Sequence, residues 1–202
     1  SVQKVYIHEE YDPMMNWNND IALIKLNTSI DQTSTFINYA CLGYNETTRF
    51  DENSYCFTTG WGYTSNGKDT RPDRLQQLKV SLIPTDVCNA TLSHNGRLTE
   101  NMICGGHWEG GGSVCQGDSG GPLVCAGDDN RWYLTGLPSW VYFICSYRYK
   151  PSVFTKVSNY IAWLDDIISR DDTCGSDYFV CEICIPMTWV CDGVLDCNDG
   201  SD

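Results

Sequence analysis

The 202-residue sequence predicts a mainly β domain, an antiparallel barrel or sandwich closed by one helix, with a small bridge-dependent unit behind it. Three observations carry this. Short β-branched and aromatic runs recur at Val5–Ile7, Ile21–Ile24, Leu78–Leu82, Leu123–Val124 and Val153–Phe154. Turn clusters such as Ser65-Asn-Gly67 and Gly110-Gly-Gly112 punctuate them, with no helical pattern between. Next, Val157, Tyr160, Ile161, Leu164, Ile167 and Ile168 fall at helical spacing, with Ser158 placed to cap the start. Finally, composition shifts near residue 174: residues 1–173 hold 7 Cys and 13 basic side chains, whereas residues 174–202 hold 5 Cys, 6 acidic side chains and no Lys or Arg. Those last 29 residues are too few to fold on an apolar core alone and need bridges or a metal. Residues 170–173, Arg-Asp-Asp-Thr, read as the linker.

Twelve cysteines indicate maturation in an oxidising compartment, so the chain reads as secreted or extracellular and disulfide-bonded. Sequons at Asn27, Asn45 and Asn89 agree, since they accept glycans only in the secretory pathway. A formal charge of −13 argues against nucleic acid as a partner. No run approaches the roughly 18 consecutive apolar residues of a spanning helix; Trp132–Cys145, the richest, is broken by Gly136 and Pro138. With no initiator Met and no signal peptide, the sequence reads as opening partway through a longer protein.

The string Gly117-Asp-Ser-Gly-Gly-Pro-Leu123 carries the most chemistry. Glycines around Ser119 allow a tight backbone that exposes the hydroxyl and aims N–H groups at one point, as a serine nucleophile and its oxyanion hole require. A Gly-rich turn alone would read the same way, so the order of partners decides. No His follows Ser119, which excludes the Ser-acid-His order. The Asp-His-Ser order is formally possible with Asp20 and His94 or His107, but that fold alternates strands with helices. The remaining order is His-Asp-Ser.

Residues 1–168 resemble most of a chymotrypsin-family serine protease. The motifs are Asn18-Asn-Asp-Ile-Ala-Leu-Ile-Lys-Leu26, Gly60-Trp-Gly62, Glu100-Asn-Met-Ile-Cys104, Cys115-Gln-Gly-Asp-Ser-Gly-Gly-Pro122, Pro151-Ser-Val-Phe-Thr-Lys-Val157 and the closing helix. The resemblance implies an all-β fold of two antiparallel six-stranded barrels, the first incomplete here, with a C-terminal helix. It makes Ser119 the nucleophile of an acyl-enzyme endopeptidase and Asp20 the carboxylate that orients the imidazole. The N–H groups of Gly117 and Ser119 become the oxyanion hole. Asp118 becomes the partner of the α-amino group freed on zymogen activation.

The base departs from the pattern. The family His precedes the Asp by roughly 45 residues, which places it upstream of Ser1. His8, in an Ile-His segment, resembles a noncatalytic family element, and His94 and His107 are expected to be exposed in second-barrel loops. The chain is therefore read as lacking its N-terminal part, inactive and aggregation-prone if expressed alone, because an open half-barrel exposes strand edges. The alternative is a noncatalytic pseudo-protease acting as an extracellular binding protein.

Specificity is read from the pocket beside Ser119. Ser113 stands where trypsin-like relatives carry an Asp, so no buried charge attracts Arg or Lys. In Ser139-Trp140-Val141 and in Pro151-Ser152-Val153, Val141 and Ser152 replace common glycines. Side chains on both walls shorten the pocket and imply an elastase-like preference for small apolar residues. Pro138 and Tyr142-Phe-Ile144 fit no common pattern.

Residues 174–202, with Cys174, Cys181, Cys184, Cys191 and Cys197 and the run Cys191-Asp-Gly-Val-Leu-Asp-Cys197-Asn-Asp-Gly-Ser-Asp202, resemble an LDL-receptor class A module, C-terminally truncated. The resemblance implies calcium, a hard cation taking oxygen ligands, held by the carboxylates of Asp192, Asp196 and Asp202 and the backbone oxygens of Trp189 and Val194. Catalysis needs no cofactor, and the module implies an extracellular protein ligand beside the protein or peptide substrate. Family pairing joins Cys56–Cys125, Cys88–Cys104, Cys115–Cys145, Cys174–Cys184 and Cys181–Cys197. It leaves Cys41, which resembles the tether of an activation peptide, and Cys191 unpaired.

Overall fold

The computed structural model describes residues 1–30, 37–43, 50–64, 71–171, 178–180 and 184–186. Strands β1 (Val2–Ile7) and β2 (Ala22–Leu26) pair antiparallel as a separate two-stranded sheet, with Val5 opposite Ile24 and Ile7 opposite Ala22. Six further strands are β3 (Cys56–Gly60), β4 (Gln76–Ile83), β5 (Met102–Gly106), β6 (Leu123–Ala126), β7 (Trp132–Trp140) and β8 (Ser152–Lys156). They close into one barrel in the order β3-β4-β5-β8-β7-β6, every neighbour antiparallel. A short helix α1 (Thr85–Cys88) follows β4, and α2 (Ile161–Asp171) follows β8 through a 3-10 turn over Val157–Tyr160. Strands β9 (Tyr178–Val180) and β10 (Cys184–Pro186) form a last antiparallel pair.

The all-β expectation holds, with one barrel complete. Among the described residues the other implied barrel is represented by β1 and β2, whose Val2, Val5, Ile7, Ile24 and Leu26 are exposed. Each expected strand run lies in β1, β2, β4, β6 or β8, with Ile21 just before β2. The sequence pattern missed β3, β5 and β7. In β5 the run Met-Ile-Cys-Gly-Gly has no alternation to read. A Cβ at Gly105 would stand 2.6 Å from Val80 Cγ1 and 3.2 Å from Phe154 Cε2, so large neighbours fill the space a side chain would occupy. Pro138 is accommodated inside β7 next to a register shift between Pro138 and Trp140.

The barrel core joins Val80, Leu82, Leu123, Cys125, Phe154 and Val114, each fully or nearly buried. Burial of such side chains stabilises by about 1.5–3 kcal/mol apiece. Cys56 and Cys125 face each other across β3 and β6 and are disulfide-bonded, as are Cys88–Cys104 and Cys115–Cys145. All three match the family pairing. Cys41 does not stay unpaired. Its N–H donates to Trp132 O at 2.8 Å, its carbonyl accepts from Leu134 N at 2.8 Å, and its half-buried sulfur is oxidised in a disulfide. The remaining bridges expected of the tail lie outside the described residues.

The closing helix appears with Val157, Tyr160 and Leu164 buried at its expected spacing. Ser158 does not cap it: the 3-10 turn starts after Lys156, and Ser158 is exposed inside that turn. Helix α2 runs to Asp171, two residues into the stretch read as linker. No helix among the described residues is long and apolar enough to cross a membrane.

Candidate active site

Asp20 sits at the end of a tight loop bolted to the barrel. Asp12 and Asn18 form an isolated bridge, and Asn16, Trp17 and Asn19 adopt left-handed φ of 53, 58 and 57°. Such conformations are unfavourable for a bulky residue and persist where surroundings over-determine them. Here Asn18 accepts from Thr99 Oγ1 at 2.7 Å, and Asn19 accepts from Asn101 Nδ2 at 3.0 Å and from Tyr160 Oη at 2.9 Å. Burial, aided by the Asp20 charge, pushes the Tyr160 phenol up to about 12, so it remains a donor. The Asp20 carbonyl accepts from Thr155 Oγ1 at 2.7 Å, and its carboxylate accepts from Ser139 Oγ at 2.6 Å.

Ser119 is exposed on a turn shaped by Gly117 and Gly120, whose φ values are +99 and +76°. Gly120 N donates to Pro138 O at 3.0 Å and Gly121 N to Asp118 O at 3.0 Å, tying this turn to β7. The N–H groups of Gly117 and Ser119 donate to no acceptor among the described residues. Asp118 turns the other way. Its Oδ1 accepts from Gly62 N and its Oδ2 from Cys115 N, both at 2.8 Å. Gly60 and Gly62 must be glycines for this: a Cβ there would fall 2.0 and 2.5 Å from Asp118 side-chain atoms.

Two cavities flank the turn. One of about 250 Å3 opens at Ser119 and is walled by Ser139, Trp140, Val141 and Trp17. Ser139 therefore connects Asp20 to the cavity that holds Ser119. The other, of about 400 Å3, is bounded by Asp118, Gly62, Leu78 and Ser113. Ser113 thus lines the Asp118 cavity, and its Oγ donates to Val114 O at 2.8 Å and accepts from Ser146 N at 2.6 Å. Ser152 is 1 % exposed in β8, its hydroxyl unpartnered, and is not part of the lining at Ser119. Trp17 was missed by the sequence reading, although an aromatic three residues before Asp20 is a usable signal.

None of the three histidines meets Asp20. His8 packs on Tyr160 and Trp163, with ring centroids 5.3 and 5.0 Å away. His107 is exposed, as expected, with Nε2 3.2 Å from Lys79 O. His94 corrects the expectation of an exposed loop residue: it is 1 % exposed, held against Trp140 and Pro151. Its proximity to Cys88 and Cys104 offers no metal site, because those sulfurs are joined to each other. The calcium ligands expected at Trp189, Asp192, Val194, Asp196 and Asp202 lie outside the described residues.

The exposed Ser119 turn and the Asp20 carboxylate are linked through Ser139, which hydrogen-bonds Asp20 and lines the cavity at Ser119. The trypsin family model matches residues 1–164, and the model of the low-density lipoprotein receptor domain class A matches residues 172–202. The chain therefore belongs to the trypsin family of serine proteases and carries a class A module, a type that in general binds calcium. It is 36% identical to human Transmembrane protease serine 5 over 165 residues, covering 82% of this chain and 35% of that protein. Pig coagulation factor XII is 35% identical over 173 residues, 82% of this chain and 28% of the relative. Atlantic salmon (Salmo salar) trypsin-3 is 37% identical over 168 residues, 83% and 65% respectively. The chain spans about a third of the length of the first two relatives.

Proposed function

We propose that this chain is part of an extracellular serine endopeptidase that hydrolyses peptide bonds through an acyl-enzyme on Ser119. The observation that carries the reading is the hydrogen bond from Ser139 to Asp20, at 2.6 Å, in the wall of the cavity that opens at Ser119. Asp20 orients and charge-stabilises an imidazole supplied from outside these 202 residues. That imidazole takes the Ser119 proton on attack and returns it to the leaving amine. The N–H groups of Gly117 and Ser119 stabilise the oxyanion that forms on the substrate carbonyl. Asp118 receives an α-amino group in the 400 Å3 cavity, where its carboxylate already accepts two backbone N–H groups.

The pocket favours small apolar residues before the scissile bond. Val141 walls the Ser119 cavity, and no charged side chain among the described residues lines it to attract a basic residue. Calcium held by Asp192, Asp196, Asp202, Trp189 and Val194 folds the module, which then binds an extracellular protein. The test is a peptide-substrate series varying only the residue before the cleaved bond, run on the activated full-length protein and its Ser119→Ala variant. Fastest cleavage after Ala or Val, abolished by Ser119→Ala, is the expected result. Fastest cleavage after Arg overturns the specificity, and hydrolysis that survives Ser119→Ala overturns the enzyme assignment.

A further inference from the structure

Four of the six buried side-chain polar atoms without a hydrogen-bond partner among the described residues belong to Ser93, His94, Trp140 and Ser152. Native interiors hold few such atoms, and a gathering of them needs a reason. One of them belongs to a fully buried histidine, His94, whose ring packs on that of Trp140. His94 Nε2 lies 2.9 Å from the carbonyl of Pro151, which can only accept, so the ring is the Nε2–H tautomer and Nδ1 is left bare. The same ring meets Trp140 edge-on at 4.8 Å, and Tyr142 lies 6.4 Å away. Trp140 walls the Ser119 cavity, and Pro151 precedes the buried Ser152. One imidazole thus touches the end of β7 and the start of β8, the two segments expected to shape the pocket.

The loop that carries His94 is fastened on each side. Leu98 N donates to Asn89 Oδ1 at 3.0 Å, Lys150 Nζ donates to Ser93 O, and the Cys88–Cys104 bridge anchors its base. Arg97 lies over the Trp140 ring at 5.5 Å, and its Nε donates to Asn16 Oδ1 at 2.9 Å.

We propose that His94 is a positioning residue for substrate binding: its Nε2–H bond to Pro151 and its edge contact with Trp140 hold the Trp140 wall of the Ser119 cavity against the start of β8. This rests on the protease reading above. Protonation leaves the Nε2–H bond to Pro151 in place but puts a charge into the buried seat of the ring. A proton on Nδ1 would place an imidazolium in a buried site whose charged neighbours, Lys150 and Arg97, are both cationic; burial, against the opposing bond to Pro151 and with help from these charges, holds the ring below the ordinary histidine range. Tyr142 and Trp140, the other groups facing it, supply no negative charge to receive the proton.

The experiment uses activated full-length protein and measures calorimetric binding of an uncharged probe, acetyl-Ala-Ala-Pro-Val-amide, from pH 8 to pH 5. Ser119 labelling by a fluorophosphonate is recorded in parallel. His94→Phe keeps the ring and deletes the donor, and should bind the probe about tenfold more weakly at pH 8. His94→Gln restores an amide N–H without a titrating group; it should bind within about twofold of the native protein and lose the native weakening on acidification. Labelled Ser119 with native-like affinity in His94→Phe overturns the inference, and so does an acid profile unchanged in His94→Gln. Absence of labelling in the native protein overturns the protease reading, and this inference with it.

Discussion

Substituting Gly60 by Ala tests how the active-site turn is held. A methyl group at Gly60 would stand 2.0 Å from Asp118 Oδ1 and 2.9 Å from its carboxyl carbon, so the carboxylate must move by more than an ångström. Moving it breaks the bonds from Gly62 N and Cys115 N, each 2.8 Å long. Hydrogen bonds to a charged group contribute about 1.5–3 kcal/mol each, so the variant should lose about 3–6 kcal/mol. That is a large share of a domain stability of about 5–15 kcal/mol. Gly120→Ala is the control. It meets nothing within 4 Å but sits at φ +76°, so only backbone strain of about 1–2 kcal/mol applies. Urea unfolding of the two variants in the full-length protein measures the difference. If Gly60→Ala unfolds at the same midpoint as Gly120→Ala, Asp118 is not the clamp of the turn.

Three further outcomes are expected. Replacing Cys56 and Cys125 by Ser removes the bridge between β3 and β6, which spans 69 residues, and should destabilise by about 2–5 kcal/mol in a denaturant titration. The buried His94 binds its proton less readily when folded than its ordinary value of about 6.5, so the unfolded chain carries the extra proton just below that pH. Its contribution is fully present above about pH 6.5 and is lost as the pH falls toward the folded value; thermal unfolding should show this acid slope and His94→Gln should flatten it. Calcium chelation should unfold residues 172–202 and open them to proteolysis without shifting the barrel transition, and Asp196→Ala should do the same with calcium present.

Much of the fold was legible because apolar side chains alternate or repeat where they face a core. The helix near the C-terminus declared itself through Val157, Tyr160 and Leu164, all of which are buried. Strand β5 was silent because its Gly105 makes room for Val80 and Phe154, a tertiary fact with no local signature. Ser119 and Asp20 were legible from motifs, whereas Trp17 reaches the cavity through a left-handed turn that periodicity does not encode. His94 stands in a polar run, Ser-His-Asn-Gly, that reads as an exposed loop. What buries it is Pro151, 57 residues away, together with Trp140. Family pairing placed Cys56–Cys125, Cys88–Cys104 and Cys115–Cys145 correctly, whereas Cys41, which it leaves without a partner in this chain, is disulfide-bonded.

The most direct measurement is mass-spectrometric mapping of a fluorophosphonate adduct on activated full-length protein, beside its Asp20→Asn and Ser119→Ala variants. The account predicts one adduct per molecule, on Ser119. Asp20→Asn should slow its formation by orders of magnitude through the misoriented imidazole, and Ser119→Ala should abolish it. An unmodified Ser119 in the native protein, or a labelling rate indifferent to Asp20→Asn, would contradict it and favour a protein that binds without cleaving.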